Sequence, residues 1–347
     1  MRVRIVGSGL IGTSIGLALR AQSFEVEMVD SHAANSQLAN DLVGSSLSAA
    51  ADLVVLALPT SGIANVIQGE FVLNPKAVFM DVGSVKTKPQ LEIDAVLGLS
   101  PLFCGTHPMA GRESGGPEGA RADLFDGRPW ILTPTSSTRP ETLEAVKKIV
   151  ESLGAIVIQM SAQDHDRAVA LLSHLPQISA SLLARQIAPA TPEWLELAGQ
   201  GLRDSTRIAR SDPKLWREIL TLNREEIRPL LEAMENDLTK LIADFDDEDK
   251  VENFIAQGRG AIQAIPGKHG GKAREYSYLP IVIDDKAGQL GALFQECAIA
   301  DVNVEDLSIE HSPGQFTGLI TLSLSKLDSE KLSKHLLEKG WKVQSVR

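Results

Sequence analysis

Residues 1–30, "MRVRIVGSGLIGTSIGLALRAQSFEVEMVD", predict the architecture of the N-terminal part of the chain. Residues 2–6 predict a short strand, and the glycine-rich turn "GSG" follows it directly. Residues 10–22 carry apolar side chains at helical spacing, and "EVEMVD" at residues 25–30 predicts a second strand. A strand, a helix and a strand in this order predict the first unit of a sheet with parallel strands.

The glycines of this stretch, Gly7, Gly9 and Gly12, form the pattern G-x-G-x-x-G. Gly7 permits a tight turn, Gly9 lets main-chain N–H groups approach a pyrophosphate, and Gly12 permits close packing of the helix on the strand. The helix begins near Leu10 and Ile11, so its positive dipole end lies at the same turn. The pattern predicts a dinucleotide site; the alternative is a glycine turn without a cofactor.

Asp30 stands at the end of the second strand, 18 residues after Gly12. A carboxylate there can hold ribose hydroxyls and disfavours a 2′-phosphate, and neither Ser31 nor His32 supplies an arginine for one. The sequence therefore favours NAD over NADP as the cofactor. We also include Pro59, which ends the strand "DLVVLALP", among the residues expected at the cofactor.

Four segments follow from the patterning of the chain. Residues 1–160 alternate short apolar strands with helices and predict a doubly wound α/β domain of Rossmann type. Residues 161–265 have only helical spacing, which predicts an all-α domain that pairs with a second copy in a homodimer. Residues 266–275, "PGKHGGKARE", predict a linker. Residues 276–347 predict the order β-α-β-β-α-β of a ferredoxin-like unit.

Composition excludes several classes of protein. The chain has 347 residues, 43% of them hydrophobic and 23% charged, with a net charge of −11. Nucleic acid is not an expected partner because no basic surplus exists to neutralise phosphates. No apolar run is long enough for a membrane span, and the N-terminus enters a strand at once, which leaves no room for a signal peptide. The two cysteines lie far apart in the sequence, which favours a reducing, cytoplasmic location. No segment has the spacing of metal ligands, so we expect no metal.

The segment "CGTHPMAGRES" contains the candidate catalytic histidine, His107. A histidine titrates near neutrality, so at the end of a strand beside a nucleotide site it can accept a proton. Ser84, in "DVGSVK", ends a neighbouring strand and can bind the nicotinamide or a catalytic group, or serve only as a turn or helix-cap residue. Glu113 can orient a neighbouring group or be a solvated loop acid.

Three arginines, Arg203, Arg207 and Arg210, have the spacing i, i+4 and i+7, which places them on one face of a predicted helix. An acidic protein that binds an anion needs such a local cationic patch, and arginine binds carboxylates bidentately. The alternative is a solvated face with salt bridges to Asp204 and Asp212, which contribute little to stability.

His165 and His174 are nine residues apart in another helical segment. At about 100° per residue this spacing places them on opposite faces of a regular α-helix. The two histidines are therefore not expected to form a shared metal site.

Several of these stretches together resemble the prephenate/arogenate dehydrogenases of tyrosine biosynthesis. The matching pieces are "GSGLIGTSIGLAL", "DVGSVK", "GTHPMAGRESGG", "LLSHLPQ" and "RDSTRIARSDPKLW", which occur in the family's order between residues 5 and 220. The last 70 or so residues resemble an ACT domain, an amino-acid-sensing module. The resemblance implies NAD-dependent oxidative decarboxylation of prephenate to 4-hydroxyphenylpyruvate. The alternatives are turnover of arogenate and a non-catalytic nucleotide and amino-acid sensor.

The resemblance also implies roles for individual residues. His107 matches the family's proton acceptor, and Ser84 matches the serine that positions that histidine and the nicotinamide. Arg207 matches the arginine that binds a substrate carboxylate. His174 and Glu113 match residues of the substrate pocket.

Gln177 departs from the family pattern, which often has a second histidine after "SHLP". Glutamine keeps hydrogen-bonding capacity but cannot become cationic, so we count it as a substrate contact without charge. In the ACT-like segment, the loop from Asp285 to Gly288 is the expected site of an amino-acid effector, which we take to be inhibitory L-tyrosine. The alternative is a purely structural dimer module.

Overall fold

The computed structural model describes residues 1–44, 47–111, 116–262, 264–265, 276–311 and 316–345. The predicted linker, residues 266–275, lies outside the described residues. The chain forms two compact units, Met1–Asn236 and Asp237–Arg347.

The first unit contains a seven-stranded sheet with the order β2-β1-β3-β4-β5-β6-β7. Its strands are β1 (Arg2–Val6), β2 (Glu25–Val29), β3 (Leu53–Leu56), β4 (Val78–Asp81), β5 (Phe103–Pro108), β6 (Pro129–Thr133) and β7 (Ile156–Gln159). The first five strands in the chain run parallel, so their carboxyl ends meet at one edge. This edge is where a doubly wound sheet binds its ligands.

The sheet differs from a uniformly parallel one at β6. This strand pairs antiparallel to β5, with His107 opposite Ile131, and β7 then runs parallel to β6. The described part of the connection from β5 to β6 holds only the short 3₁₀ turn Pro117–Gly119 and no crossover helix. Without a crossover the chain re-enters the sheet from the edge at which β5 ended, which requires an antiparallel strand.

Five helices cover the two faces of this sheet: α1 (Leu10–Ala21), α2 (Ala33–Val43), α3 (Ile63–Leu73), α4 (Thr87–Asp94) and α5 (Pro140–Ser152). One apolar core packs α1, α2 and α5 against the sheet, and a second packs α3 and α4. Strand β3 is buried along its whole length because helices cover both of its faces. Trp130 is fully buried and its indole N–H donates to Thr106 Oγ1 at 2.9 Å, so its polar atom is satisfied.

Helices alone follow β7 in the described residues up to Ile262. They are α6 (Ala162–Val169), α7 (Leu175–Gln186), α8 (Pro192–Leu195), α9 (Gln200–Thr206), α10 (Pro213–Leu222), α11 (Arg224–Ala243) and α12 (Glu248–Ile262). A π-helical turn, Ala170–His174, joins α6 to α7, and a 3₁₀ turn, Arg207–Arg210, follows α9. Within the described ranges, no helix has the length and apolar character needed to cross a membrane.

The second unit ends in a four-stranded antiparallel sheet with the order β11-β8-β10-β9. Its elements are β8 (Ser277–Asp284), α13 (Gln289–Ile299), β9 (Asp306–His311), β10 (Thr317–Leu324), α14 (Lys326–Glu338) and β11 (Lys342–Val343). Alternate residues of β8, Leu279, Ile281 and Ile283, are buried in a core with side chains of α13 and α14. The helices therefore cover one face of this sheet.

Candidate active site

The glycine turn between β1 and α1 has the shape that a dinucleotide site needs. Gly7 has φ +109°, and a Cβ there would overlap the carbonyl oxygen of Ala57. A Cβ at Gly12 would overlap the carbonyl oxygen of Gly7. At Gly9, in contrast, a Cβ would meet no atom within 4 Å. Glycine is thus required for folding at Gly7 and Gly12, whereas Gly9 leaves open space beside the turn.

Asp30 and Ser8 complete this turn. The Ser8 main-chain N–H donates to Asp30 Oδ2 and the His32 N–H donates to Asp30 Oδ1, both at 2.8 Å. The Ser8 hydroxyl is buried and has no hydrogen-bond partner within the part of the chain that is described. An open space beside Gly9 and an unsatisfied hydroxyl are features that a bound pyrophosphate would use, so the turn fits a dinucleotide.

The other predicted cofactor residues lie at the same sheet edge. Leu10 is buried in the core and Ile11 packs against it, so each can offer only its main-chain N–H at the start of α1 to a phosphate. Pro59 is exposed after β3, and its carbonyl oxygen accepts the Gly62 N–H at 2.8 Å.

His107 lies near the carboxyl end of β5 and is the first member of a chain of hydrogen bonds. Its Nδ1 is 2.8 Å from His165 Nε2, and His165 Nδ1 is 2.8 Å from Asp166 Oδ1. The Asp166 carboxylate accepts the Lys86 N–H at 2.7 Å and the Thr87 N–H at 2.8 Å. These donors stand at the N-terminus of α4, so the carboxylate caps that helix.

Electrostatics keeps His107 neutral. Burial lowers the pKa of His107 well below 6.5, and the neighbouring His165, Lys86 and His174 lower it further. Its ring is only partly exposed. At neutral pH the side chain therefore has an unprotonated ring nitrogen and can accept a proton.

A buried ion pair lies beneath this histidine. Lys86 Nζ contacts Asp81 Oδ2 and also donates to the Thr106 carbonyl oxygen at 2.6 Å. Asp81 accepts the N–H groups of Thr106 at 3.1 Å and Gly83 at 2.9 Å. Burial lowers the pKa of Lys86, and Asp81 opposes that effect. These contacts join the ends of β4 and β5, from which Ser84 and His107 emerge.

Ser84 is half-buried in the loop between β4 and α4. The helix-cap alternative for this serine does not hold, because the N-cap of α4 is Lys86 and Asp166 accepts the first N–H groups. Glu113, the predicted pocket acid, lies outside the described residues.

The spacing of His165 and His174 predicted opposite faces of one regular helix. The structure differs from this prediction. The π-helical turn Ala170–His174 intervenes and changes the angle between successive residues. As a result, Asn223 Nδ2 lies 3.1 Å from His174 Nδ1 and also donates to the Asp166 carbonyl oxygen at 2.8 Å. His174 is buried edge-on against Trp216, and burial lowers its pKa to about 4.

The arginine segment also departs from its predicted geometry. Helix α9 ends at Thr206 and the turn Arg207–Arg210 is 3₁₀, so the three arginines do not form one face of an α-helix. All three side chains are exposed. The acids expected to pair with them have other contacts, because Asp204 accepts from Gln200 at 2.8 Å and Asp212 caps α10.

Gln177 is buried on α7, facing the end of the arginine segment. The Ser211 hydroxyl lies 3.3 Å from Gln177 Oε1, and Gln177 Nε2 donates to Ser181 at 3.3 Å. The amide therefore ties α7 to the loop that follows Arg207. A histidine at this position could not make both contacts with the same geometry.

The loop between β8 and α13 was predicted to bind an effector. The Asp285 N–H donates to the Phe316 carbonyl oxygen at 2.8 Å. Gly288, the N-cap of α13, has φ +89°, a conformation that favours glycine. Across the described residues, no group of three or more His, Cys, Asp or Glu side chains is arranged to hold a metal ion.

Comparison with known proteins agrees with this architecture. Residues 15–159 match the prephenate dehydrogenase nucleotide-binding domain and residues 161–257 match the prephenate dehydrogenase dimerization domain. A probable prephenate dehydrogenase of Streptomyces niveus, NovF, is 31% identical over 98% of this chain and 99% of that protein. A prephenate dehydrogenase of Bacillus subtilis is 25% identical over 97% of this chain and 95% of that protein.

Two solved structures are also similar to this chain in sequence and in fold. Prephenate dehydrogenase from A. aeolicus, in complex with hydroxyphenyl propionate and NAD+, is 31% identical with a TM-score of 0.67. The match covers 76% of this chain and 98% of that one. Arogenate dehydrogenase of Synechocystis is 28% identical with a TM-score of 0.62, over 76% of this chain and 99% of that one. The chain therefore belongs to the prephenate dehydrogenase family.

Proposed function

We propose that the protein catalyses the NAD-dependent oxidative decarboxylation of prephenate to 4-hydroxyphenylpyruvate. The observation that carries this proposal is the neutral His107 at the sheet edge where the open glycine turn also lies. That edge brings a proton acceptor and a dinucleotide site to the same end of five parallel strands. The proposal also draws on the relatives named above, most of which are prephenate dehydrogenases.

NAD supplies the hydride acceptor when it is bound. The main-chain N–H groups at Gly9 and at the start of α1 would hold its pyrophosphate, and Asp30 would hold a ribose. Asp30 already accepts two main-chain N–H bonds and would repel a 2′-phosphate, which supports NAD over NADP.

His107 performs the acid–base chemistry. It accepts the proton of the ring hydroxyl as the hydride leaves the carbon that carries this hydroxyl. Loss of the ring carboxylate as CO₂ then leaves an aromatic ring, whose phenolate oxygen takes the proton back from His107. The net reaction converts prephenate and NAD+ to 4-hydroxyphenylpyruvate, CO₂ and NADH. Ser84, in the next loop, orients the histidine and the nicotinamide.

Arg207 binds a carboxylate of the dianionic substrate. Its exposed position after α9 suits a residue that reaches a ligand, and bidentate pairing with a carboxylate suits a guanidinium. His174 contributes an uncharged ring, since its pKa of about 4 keeps it neutral at pH 7. Gln177 acts through Ser211 on the position of the arginine segment. The role of a pocket acid for Glu113 stays a prediction from the family resemblance.

Arogenate is the alternative substrate, in which an alanyl group replaces the pyruvyl side chain. The likeness to the Synechocystis arogenate dehydrogenase supports it. Measuring NADH and NADPH formation from both substrates separates these alternatives. We expect the highest kcat/KM with prephenate and NAD, and faster turnover of arogenate would assign the protein to the second activity.

The C-terminal sheet acts as an ACT-type regulatory module that binds L-tyrosine at the Asp285–Gly288 loop. The order β-α-β-β-α-β and the glycine turn before α13 support this assignment. We expect a chain that ends at Gly270 to keep turnover and lose inhibition by tyrosine. Unchanged sensitivity to tyrosine in that shortened chain would place the effector site elsewhere.

The protein acts as a homodimer in the cytoplasm. Large apolar side chains of the helical segment are exposed in the single chain, among them Leu172 at 73%, Trp194 at 66% and Leu197 at 83%. Such a surface suits an interface with a second copy.

Cys104 and Cys297 are both buried and unpaired, which suits a reducing compartment.

A further inference from the structure

The hydrogen-bond chain from His107 to Asp166 has a direction, and Asp166 sets it. The Asp166 carboxylate accepts two main-chain N–H groups at the N-terminus of α4, where the helix dipole also favours negative charge. These bonds and the one from His165 lower the pKa of Asp166 and outweigh the effect of burial. Asp166 is therefore ionised and can only accept hydrogen bonds.

An acceptor at Asp166 determines where the protons lie on both imidazole rings. His165 must donate from Nδ1 to Asp166 Oδ1 at 2.8 Å, so its Nε2 holds a lone pair when the ring is neutral. This lone pair faces His107 Nδ1 at 2.8 Å, which must then carry the proton of a neutral His107. The remaining lone pair of His107 is at Nε2, the nitrogen left for the substrate.

We propose that His165 and Asp166 are positioning residues that hold His107 in the tautomer with a free Nε2 and share the proton it accepts. This proposal rests on the proposed function. When the substrate hydroxyl gives its proton to His107 Nε2, the Nδ1 proton moves to His165 Nε2. The positive charge then lies on His165 beside the Asp166 carboxylate, which stabilises it. The reverse transfers return a proton to the phenolate after CO₂ has left, so the chain ends the cycle as it began.

The surrounding contacts hold the hydrogen-bond chain from His107 to Asp166 in place. His165 is fully buried, and its ring packs edge-on against His107 with centroids 5.1 Å apart. Asn223 holds the main chain of Asp166 through its carbonyl oxygen at 2.8 Å. A rigid chain of this kind fixes the tautomer before the substrate arrives.

The first test measures the tautomer of His107 without substrate turnover. Its result therefore does not depend on the proposed function. In ¹⁵N-histidine NMR of the full-length protein at neutral pH, we expect the His107 signal to show a protonated Nδ1 and an unprotonated Nε2. The assignment comes from its loss in His107→Asn. A His107 signal with a protonated Nε2 would overturn the proposal, whether or not the protein oxidises prephenate.

Variants then separate positioning from proton sharing. His165→Gln can still accept from His107 Nδ1 but cannot take a proton, so we expect the NMR tautomer to persist while kcat falls. His165→Phe removes both roles, and we expect a kcat loss within the roughly 10²–10⁴-fold that a positioned base contributes. KM should change little in both variants, because His165 is fully buried and acts through His107. Wild-type kcat in His165→Phe would contradict the proposal.

Asp166→Asn tests the anchor, with Asp164→Asn as its control. Both carboxylate oxygens of Asp166 accept hydrogen bonds, whereas an asparagine amide has one accepting oxygen and one donating NH₂ group. The preference of His165 for a protonated Nδ1 is therefore lost, and we expect kcat to fall. Asp164 is exposed on the same helix and lies outside the chain of bonds. We expect Asp164→Asn to behave as wild type. Equal NMR tautomers and equal kcat in the two variants would remove Asp166 from its assigned role.

Discussion

Lys86 and Asp81 form a fully buried ion pair directly beneath the strand that carries His107. The lysine also binds the Thr106 carbonyl oxygen, and the aspartate binds the Thr106 N–H. The pair therefore fixes the residue that precedes His107 from both sides. Its removal should affect the stability of the domain and the position of the histidine together.

Replacing Lys86 with Met leaves the Asp81 carboxylate buried without its partner. We expect the free energy of unfolding to fall by about 3–5 kcal/mol, the usual cost of breaking a buried pair. Denaturant unfolding measures this change. Lys88→Met is the matched control, because Lys88 is exposed two residues further on. Equal stability of the two variants would mean that the ion pair is not required.

Gly9→Ala tests the glycine turn as a cofactor site. The added methyl group meets no protein atom within 4 Å, so we expect an unchanged melting temperature. The methyl group would occupy the space of the pyrophosphate, and the affinity for NAD should fall strongly in a calorimetric titration. Gly69→Ala, another glycine with open space, should bind NAD as wild type does. Full NAD affinity in Gly9→Ala would contradict the assignment.

The pH dependence of kcat/KM reports the state of His107 in the free enzyme. The neutral ring is the active form, and its folded pKa lies well below 6.5 because of burial and the neighbouring His165, Lys86 and His174. Lowering the pH therefore protonates the base only well below 6.5. We expect kcat/KM to stay on its plateau as the pH falls through 6.5. An acid limb centred at or above pH 6.5 would show that the base is not His107 in this environment.

Arg207→Ala tests the carboxylate contact. Loss of an arginine that binds substrate and transition state alike should raise KM for prephenate and change kcat little. Arg203→Ala, at the exposed start of the same segment, serves as the control. Identical steady-state kinetics for the two variants would mean that Arg207 has only a structural or solvated role.

Much of the fold could be predicted from local patterns. The glycine turn, the apolar strands and the place of His107 at a strand end follow from short-range periodicity, since parallel strands bring their carboxyl ends to one edge. The direction of β6 could not be predicted in this way. It depends on the connection between β5 and β6, whose described residues contain no crossover helix, and the length of that connection alone does not reveal this.

The parts of the site that were missed depend on contacts between distant segments. Lys86 and Asp81 lie in the quoted stretch "DVGSVK", but nothing in it shows that the lysine is buried. His165 was assigned to a face by regular helix geometry, which the π-helical turn breaks. The adjacent acid in "QDHDRA" was the one available signal for a histidine anchored by a carboxylate.

We propose that His107 accepts the proton during oxidation of prephenate by NAD. The most direct measurement compares NADH formation and NAD binding in the wild type and in His107→Asn. We predict that the wild type forms NADH from prephenate, and that the variant binds NAD with wild-type affinity but loses turnover. A His107→Asn variant that turns over prephenate at the wild-type rate would show that another group accepts the proton.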